Sequence, residues 1–366
     1  MKYSLLAEIK HRLPPRVRES AHTTFHHVSG THRPGSAADV FIFTTPRSGS
    51  NWLLELIWSQ PDFRCVDEPL DLRNPLVTRA LGISSWEELA GLPPAALTRL
   101  HNYVQALADG RLRTADPDPF CNPFYRYLTR QTVVRMVHGG EDRVNWFRDA
   151  FGGRIVFFIR HPVPVSLARR AFPRLPAFLN SAYADNFSEQ QLREAQRIVT
   201  KGSHLERGVL DWCFQNALPL RQMTPDWALL SYEQLMLEPE TSVNYLSDKL
   251  ELTDAESIFE RLGDPATRAK HGAEARPQEA STNLTESWRD RVSALQEQQA
   301  MEILGLFDIS AYRLGDPLPA ESLWLRDGYD PAQPRSLPLP GSHLERNHSR
   351  SPNYRPNWRI PAHLPK

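Results

Sequence analysis

Five short runs of consecutive apolar and β-branched residues constrain the fold of this 366-residue chain more than any other feature. The runs are four to six residues long and lie at 40–45, 63–66, 132–137, 155–159 and 227–230. Apolar runs without polar alternation are typical of strands that are buried on both faces, as in a parallel sheet. The sequence therefore predicts a central parallel sheet of about five strands.

Helical patterns separate the predicted strands. Residues 51–60, 163–172 and 233–250 follow the first, fourth and fifth runs, and their apolar side chains recur at roughly helical spacing. This succession of strand, tight turn and helix predicts an α/β domain with helices flanking the sheet. The longer stretches 71–130 and 173–225 indicate mostly helical insertions. Such insertions are well placed to cover a ligand beyond the carboxyl ends of the strands.

The two ends of the chain differ from its middle. Residues 1–36 hold five histidines and several turn-forming residues, which indicates a solvated lead-in. Residues 317–366 indicate an extended or disordered tail, because eight of the 31 prolines lie within 327–366 and proline interrupts helices and central strands. Residues 37–316 are then expected to form one domain. The tail offers a route by which copies of the chain could associate.

Composition argues against several classes of function. The 43 basic side chains balance 43 acidic ones, whereas proteins that bind nucleic acid or anionic membranes normally carry a basic excess. No run of about 18 apolar residues occurs, so no membrane span is predicted. The three cysteines have neither disulfide-scaffold nor metal-ligand spacing. We therefore expect a cytoplasmic protein without a metal site.

The segment after the first strand is the strongest local motif. A small-residue turn there opens directly into a helix, and the backbone N–H groups of such a turn form a cradle for anions. The glycine lets the backbone approach a phosphate, the arginine adds a fixed charge, and the other side chains add donors. An ordinary strand-to-helix turn with a capping serine would look similar. The residues concerned are Arg47, Ser48, Gly49, Ser50 and Asn51.

The same loop differs from a nucleoside-triphosphate loop. That motif needs two glycines separated by four residues and a Gly-Lys pair, whose lysine reaches the terminal phosphates. Here one glycine is present and no lysine follows it. The loop therefore disfavours a kinase or an ATPase, and with them a magnesium site at this turn.

The strand, turn and helix resemble the 5′-phosphosulfate loop of sulfotransferases that use 3′-phosphoadenosine 5′-phosphosulfate (PAPS). The loop is most similar to that of the carbohydrate sulfotransferase branch, which has Arg-Ser-Gly-Ser at this point. Five further stretches match in order and spacing, so the resemblance covers about residues 37–315. It implies a P-loop-like fold with a helical lid over the acceptor. The five stretches lie at 67–70, 133–137, 154–162, 231–239 and 281–289.

The resemblance implies a role in donor binding for residues in several of these stretches. Arg47 would neutralise charge on the leaving group, as magnesium does in kinases, so no metal is required. Arg160, at the end of the fourth strand, would bind the 3′-phosphate. Tyr232 would contact the adenine. The residues that would hold the 5′-phosphate are Ser48, Gly49, Ser50, Asn51 and Trp52. Trp52 could also flank the adenine.

One departure from the family concerns the 3′-phosphate. The family's partner serine lies eight residues beyond the arginine, where this chain has Ala168. Ser166 is the nearest serine, but two residues on a helix turn it by about 200°, so it replaces the missing serine only if this turn is wound differently. Arg169 could compensate by its charge. Late in the chain, the donors expected at the same phosphate are Ser281, Thr282 and Asn283.

Two residues are candidates for the base that accepts the proton of the acceptor hydroxyl. Glu68 follows the second strand and matches the glutamate of the carbohydrate branch, and burial beside a bound donor is expected to raise its pKa into a useful range. His138 ends the third strand, where cytosolic sulfotransferases carry a catalytic histidine, and its ordinary pKa suits the task. We favour Glu68 and keep His138 as the alternative.

The sequence thus predicts an enzyme that moves a sulfuryl group from PAPS to a hydroxyl and releases 3′-phosphoadenosine 5′-phosphate (PAP). The resemblance favours an acceptor that is a carbohydrate or a glycosylated small molecule. A lipid, phenol or other natural product is the alternative acceptor. An alternative of another class is a nucleotide-binding or interaction protein that has lost turnover, because the serine at position 168 is missing.

Overall fold

The fold is described by a computed structural model, which covers residue 24 and residues 30–117, 123–262 and 285–320. A five-stranded sheet lies at its centre, and all neighbouring strands in it are parallel. The order across the sheet is β2-β3-β1-β4-β5. The strands are β1 (Val40–Thr44), β2 (Phe63–Asp67), β3 (Gln131–Met136), β4 (Arg154–Ile159) and β5 (Ala228–Ser231).

Helices flank this sheet, and most of them lie in the connections between strands. Helix α1 follows β1 directly, three helices lie between β2 and β3, and the longest helix precedes β5. The helices are α1 (Ser50–Trp58), α2 (Pro75–Leu81), α3 (Trp86–Ala90), α4 (Pro94–Ala108), α5 (Val144–Phe151), α6 (Pro162–Leu167), α7 (Leu175–Leu179), α8 (Glu189–Lys201), α9 (His204–Gln222), α10 (Tyr232–Leu237), α11 (Pro239–Leu250), α12 (Ala255–Arg261) and α13 (Ala294–Leu306).

The sheet is buried on both faces, as its continuous apolar runs predict. Alternate residues of β1 point to opposite cores: Phe41 and Phe43 pack on one side, and Val40 and Ile42 on the other. The first core includes residues of α4 and α9, and the second includes residues of α1 and α11. The predicted α/β class with a parallel sheet of five strands is therefore confirmed, and each strand begins and ends within one residue of its predicted bound.

Two predicted helices are shorter than their patterns suggested. The pattern at 233–250 is divided into α10 and α11, because Pro239 cannot follow a helical residue without a break. Helix α6 ends at Leu167 instead of continuing to residue 172. Pro173 restricts the residue before it to extended conformations, which excludes residue 172 from the helix.

The sheet order creates a switch point beside β1. The chain moves to β2 and β3 on one side of β1 and to β4 and β5 on the other. In open α/β sheets, the crevice for a ligand lies at such a point, beyond the carboxyl ends of the strands. Among the described residues, no helix is long and apolar enough to cross a membrane. Most of the lead-in and of the proline-rich tail lies outside the described residues.

Candidate functional site

The loop between β1 and α1 has the backbone of an anion cradle. Arg47 and Gly49 both have left-handed backbone torsions, with φ of 71° and 86°. Gly49 is the N-cap of α1 and has no side chain to cap the first turn; its carbonyl accepts the Trp52 N–H at 3.0 Å. Ser48 is fully buried, and its hydroxyl lies 2.6 Å from that of Thr44, which holds the loop on the end of the strand. The N-cap of α1 therefore supplies no side-chain acceptor to the first-turn N–H groups.

Tyr232 lies against this loop at the position of Gly49. A Cβ atom on Gly49 would approach Cδ2 of the tyrosine ring to 2.5 Å, closer than such contacts occur. The guanidinium of Arg160 lies over the same ring, 4.2 Å from its centroid, and Arg160 also donates a hydrogen bond of 3.3 Å to the carbonyl of Arg47. Trp52 meets the ring edge-on at 6.3 Å. The structure thus brings three predicted donor-binding residues together around the ring of a fourth, Tyr232.

A buried network fixes the turn that carries Arg160. The Glu233 carboxylate accepts hydrogen bonds from the backbone N–H of His161 at 2.9 Å and from the hydroxyl of Tyr312 at 3.0 Å. Trp212 donates its indole N–H to the carbonyl of Arg160. Burial raises the pKa of Glu233, while hydrogen bonds and the charge of Arg160 act in the opposite direction. This network holds the end of β4 beside the loop between β1 and α1.

A second cluster lies at the ends of β2 and β3. Arg135, only 6% exposed, donates to Asp67 at 2.7 Å, to Glu68 at 2.9 Å and to the Ser50 hydroxyl at 3.0 Å. The backbone N–H of Glu68 donates to the carbonyl of Arg135 at 3.0 Å. Glu68 itself has a left-handed φ of 51°. Arg135 of β3 therefore holds both the carboxylate and the backbone N–H of Glu68.

His138 lies beside this carboxylate. Its Nε2 atom is 3.6 Å from Glu68 Oε2 and 3.0 Å from a guanidinium nitrogen of Arg73. Arg73 also binds the Asp71 carboxylate through two of its nitrogens. Because a guanidinium only donates hydrogen bonds, the contact with Arg73 makes Nε2 an acceptor, which requires neutral imidazole. Burial lowers the pKa of His138, against the opposing effect of Glu68, and this agrees with the neutral form.

In the protein without a bound donor, the pKa of Glu68 lies below its ordinary value, and the rise expected beside a bound donor stays a prediction. Burial alone raises the pKa of its carboxyl, but the interaction with His138 and the charges of Arg135 and Arg73 outweigh that effect and hold the pKa well below its ordinary value. The sequence analysis considered burial and did not include the guanidinium groups of Arg135 and Arg73. In the free protein, Glu68 is an ionised carboxylate and a weak base.

The loop between β1 and α1 and the second cluster line one cavity of about 540 Å³. The loop forms one wall, the cluster of Glu68, Arg135 and His138 forms the other, and Arg160 and Tyr232 are not among the lining residues. Arg73 lies at this cavity with its side chain 61% exposed. The residues that line it are Pro46, Arg47, Gly49, Ser50, Asn51, Asp67, Glu68, Arg73, Arg135, Val137 and His138.

Three side chains near this cavity offer oxygen or nitrogen atoms that lie close enough together to hold a cation. The atoms belong to Glu68, Asp71 and His138 and lie within 4.8 Å of one another. However, Arg73 donates to Asp71 and to His138, and Arg135 donates to Glu68. Two guanidinium groups therefore already supply the positive charge that a metal ion would bring.

Ser166 does not join the other predicted residues. It is fully buried, its hydroxyl donates to the carbonyl of Pro162 at 2.7 Å, and its side chain packs against Gly208. Arg169 also turns inward and forms a buried ion pair with Asp211. Neither side chain is directed toward the loop in this conformation. Ser281, Thr282 and Asn283 lie outside the described residues.

Sequence reasoning missed the two residues that organise the site. Arg135 lies in the matched stretch 133–137 and is given no role by it, although an arginine inside a buried apolar run requires buried partners and so signals a site. Glu233 likewise lies in the matched stretch 231–239 without an assigned role. Arg73 gave no comparable signal, because it lies in a polar stretch.

Comparisons with known proteins give a limited likeness. No family model matches the chain, and no curated protein matches it. Among solved structures, the chain is similar to a sulfotransferase domain from the Synechococcus PCC 7002 olefin synthase, at 18% identity and a TM-score of 0.41, covering 78% of this chain and 99% of that one. It is also similar to a sulfotransferase domain from the curacin biosynthetic pathway, at 16% identity and a TM-score of 0.40, covering 76% and 99%.

A third structure is mouse sulfotransferase SULT7A1 complexed with PAP. The identity is 10% and the TM-score 0.34, with 79% of this chain and 87% of that chain covered. At these identities and TM-scores, the likenesses concern the general arrangement of the chain. They assign a role to no residue.

Proposed function

We propose that this protein transfers a sulfuryl group from PAPS to an acceptor hydroxyl. The observation that carries the proposal is the single cavity lined both by the loop of Arg47, Gly49 and Ser50 and by the pair of Glu68 and His138. One wall suits the phosphates of a donor nucleotide, and the other suits an incoming hydroxyl. The motifs that resemble those of PAPS-dependent sulfotransferases supply both walls.

The donor wall fits a nucleotide with separate 5′ and 3′ anionic groups. The first turn of α1 offers uncapped N–H groups for the 5′-phosphosulfate, and Arg47 adds charge beside them. Arg160 is held between Tyr232 and the Arg47 carbonyl, which directs a second guanidinium to the same end of the sheet. Bound PAPS would supply the activated sulfuryl group. We assign Arg160 to the 3′-phosphate.

On the acceptor wall, we propose that His138 is the base that accepts the proton of the acceptor hydroxyl. Its Nε2 accepts a hydrogen bond from Arg73, so the imidazole is neutral with a lone pair on that atom. A hydroxyl that displaced the exposed guanidinium group of Arg73 would meet this lone pair. Glu68, ionised and bound by Arg135, lies 3.6 Å from Nε2 and would stabilise the imidazolium that forms. This reverses the preference for Glu68 as the base.

The chemistry needs no metal ion in this proposal. Arg47 and Arg160 provide the positive charge near the donor, and Arg73 and Arg135 provide it near the acceptor. Preorganised guanidinium groups can stabilise charge that spreads over the transferred group without reorganisation. We propose a hydroxyl of a carbohydrate or glycosylated small molecule as acceptor, with lipid, phenol or other natural-product hydroxyls as the alternatives. A cytoplasmic location and association of copies through the tail stay predictions.

Transfer of radiolabelled sulfate from PAPS tests the function directly. The purified chain is incubated with labelled PAPS and EDTA, and separately with sugar, phenol and lipid alcohol panels. The proposal expects label on a compound of at least one panel, and a rate of labelling about 100-fold or more lower with His138→Ala. Tyr127→Ala is the matched control, since this exposed aromatic lies outside the cavity and should leave transfer unchanged.

The same assay separates the alternative of another class. A protein that retained the nucleotide site without turnover would bind PAP and transfer label to no panel. That outcome would contradict the proposed activity while leaving the donor site in place. Neither binding nor transfer would contradict both.

A further inference from the structure

Arg135 occupies a position that the proposed reaction does not itself assign. It lies near the end of the interior strand β3, between β2 and β1 in the sheet, and its side chain is 6% exposed. A guanidinium buried to this extent needs its donors satisfied. Its three polar partners, Asp67, Glu68 and Ser50, come from the end of β2, the residue after it, and the first residue of α1.

The bond to Ser50 fixes the direction in which that hydroxyl donates. Arginine has no acceptor, so the Ser50 oxygen must accept from Arg135 at 3.0 Å. The hydroxyl hydrogen is then directed away from Arg135. Because Ser50 is the first residue of α1 and lines the cavity, that hydrogen is available to an anion at the first turn.

The other two bonds hold the carboxylate on the opposite wall. Arg135 binds Glu68 at 2.9 Å, and its backbone carbonyl accepts the Glu68 N–H at 3.0 Å. Glu68 has a left-handed φ of 51°, which side chains other than glycine adopt at a cost unless neighbours hold them. Asp67 balances part of the positive charge. Both the side chain and the main chain of Arg135 therefore restrain Glu68.

We infer that Arg135 is a positioning residue that joins the donor wall to the acceptor wall, acting through the Ser50 hydroxyl on one side and the Glu68 carboxylate on the other. This inference rests on the proposed function. Arg135 orients Ser50 as a one-way donor to the 5′-phosphate of the nucleotide. It also keeps Glu68 beside His138. Neither action requires Arg135 to touch a substrate.

A double-mutant cycle on PAP affinity tests the link to Ser50. Calorimetry in EDTA compares the wild type, Ser50→Ala, Arg135→Lys and the double variant. Lysine keeps the charge but cannot form the three-way fork. We expect each single variant to bind PAP about tenfold more weakly, as for the loss of one hydrogen bond to a charged group. The double variant should be no weaker than Ser50→Ala within about twofold, because both changes remove the same interaction.

The link to Glu68 has a kinetic readout. With a turnover assay in place, Arg135→Lys should lower kcat as well as donor affinity, whereas Ser50→Ala should act mainly on the KM for PAPS. Arg64→Lys is the matched control: Arg64 is another buried strand arginine, but its partners are Asp116 and the Leu107 carbonyl, and neither lines the cavity. This control should leave PAP affinity unchanged.

The outcomes distinguish the inference from the function it rests on. A wild type that does not bind PAP overturns both. A wild type that binds PAP, with Arg135→Lys equal to it or with losses that multiply in the double variant, overturns the inference alone. Should Arg135→Lys fail to fold, Ser50→Ala decides: an unchanged PAP affinity overturns the inference, and a loss of about tenfold upholds its donor side.

Discussion

Gly49 lies so close to the ring of Tyr232 that a single methyl group would not fit between them. The Cβ of an alanine at 49 would lie 2.5 Å from Cδ2 and 2.8 Å from Cε2 of the ring, and the backbone has a φ of 86°. The ring in turn carries the guanidinium of Arg160 at 4.2 Å. The glycine therefore allows the loop, the aromatic ring and the arginine to be stacked in contact.

Gly49→Ala tests this stacking. We expect a loss of about 1–2 kcal/mol in the free energy of unfolding from the left-handed backbone, plus a larger loss of PAP affinity because the ring and Arg160 must move. Gly152→Ala is the control, since Gly152 has a φ of 60° and no atom within 4 Å of the added Cβ. If both variants keep wild-type PAP affinity, the contact with Tyr232 does not shape the site.

The acid limb of the pH–rate profile tests the assignment of the base. Glu68 raises the pKa of His138, so Glu68→Gln should lower that pKa further. Turnover requires neutral His138, so it falls as the pH drops through this pKa; a lower pKa moves the limb to lower pH. We expect Glu68→Gln to lower kcat about 10- to 100-fold while shifting the limb downward.

The pH–rate profiles of the His138 and Glu68 variants can also contradict the assignment of His138 as the base. His138→Ala should abolish the limb together with about 100-fold or more of the rate. If Glu68→Gln abolishes the limb and His138→Ala retains it, the base is Glu68. Donor affinity, measured with PAP, should stay within about twofold in both variants, which separates the chemistry from binding.

The buried Glu233 is predicted to act on nucleotide binding without touching the cavity. Glu233→Ala would leave the backbone N–H of His161 without its partner, at a cost of about 1–3 kcal/mol in the free energy of unfolding. It would also release the turn that carries Arg160, so PAP should bind more weakly. Tyr312→Phe removes only the second bond to this carboxylate and should leave PAP affinity within about twofold. Equal losses in both variants would contradict this role.

Arg169 is predicted to stabilise the fold and to contribute nothing to the donor site. Its ion pair with Asp211 is buried, and removal of one partner leaves the other charge uncompensated. Arg169→Leu should cost about 3–5 kcal/mol on denaturant unfolding, while the exposed neighbour Arg170→Leu should cost less than about 0.5 kcal/mol. A variant of Arg169 that is stable but loses PAP affinity would instead support the compensation suggested by the missing serine at 168.

The sheet could be predicted from the sequence because its strands are buried on both faces. Such strands, like Val40–Thr44 and Arg154–Ile159, read as continuous apolar runs, and the sequence alone carries that pattern. The helix bounds were less accurate where Pro173 and Pro239 act at a distance of a few residues. Propensity in those stretches favoured a helix, and the proline geometry interrupted it.

The site was predicted less completely, because its chemistry depends on contacts between distant segments. The residue types at Arg47, Glu68 and His138 were sufficient to propose roles. The sign of the Glu68 pKa shift depends on Arg135, 67 residues away along the chain, and on Arg73. The inward orientation of Ser166 depends on its packing against Gly208 of α9. No local pattern encodes either relationship.

Calorimetric titration of PAP into the metal-free protein tests the central claim most directly. In EDTA, the account predicts saturable binding of PAP, weakened about tenfold or more by Arg160→Ala, and weaker binding of adenosine 5′-phosphate, which lacks the 3′-phosphate. The Arg160→Ala variant should discriminate less between the two nucleotides than the wild type. Absence of heat at about millimolar PAP, or equal affinity of the wild type for both nucleotides, would contradict the account.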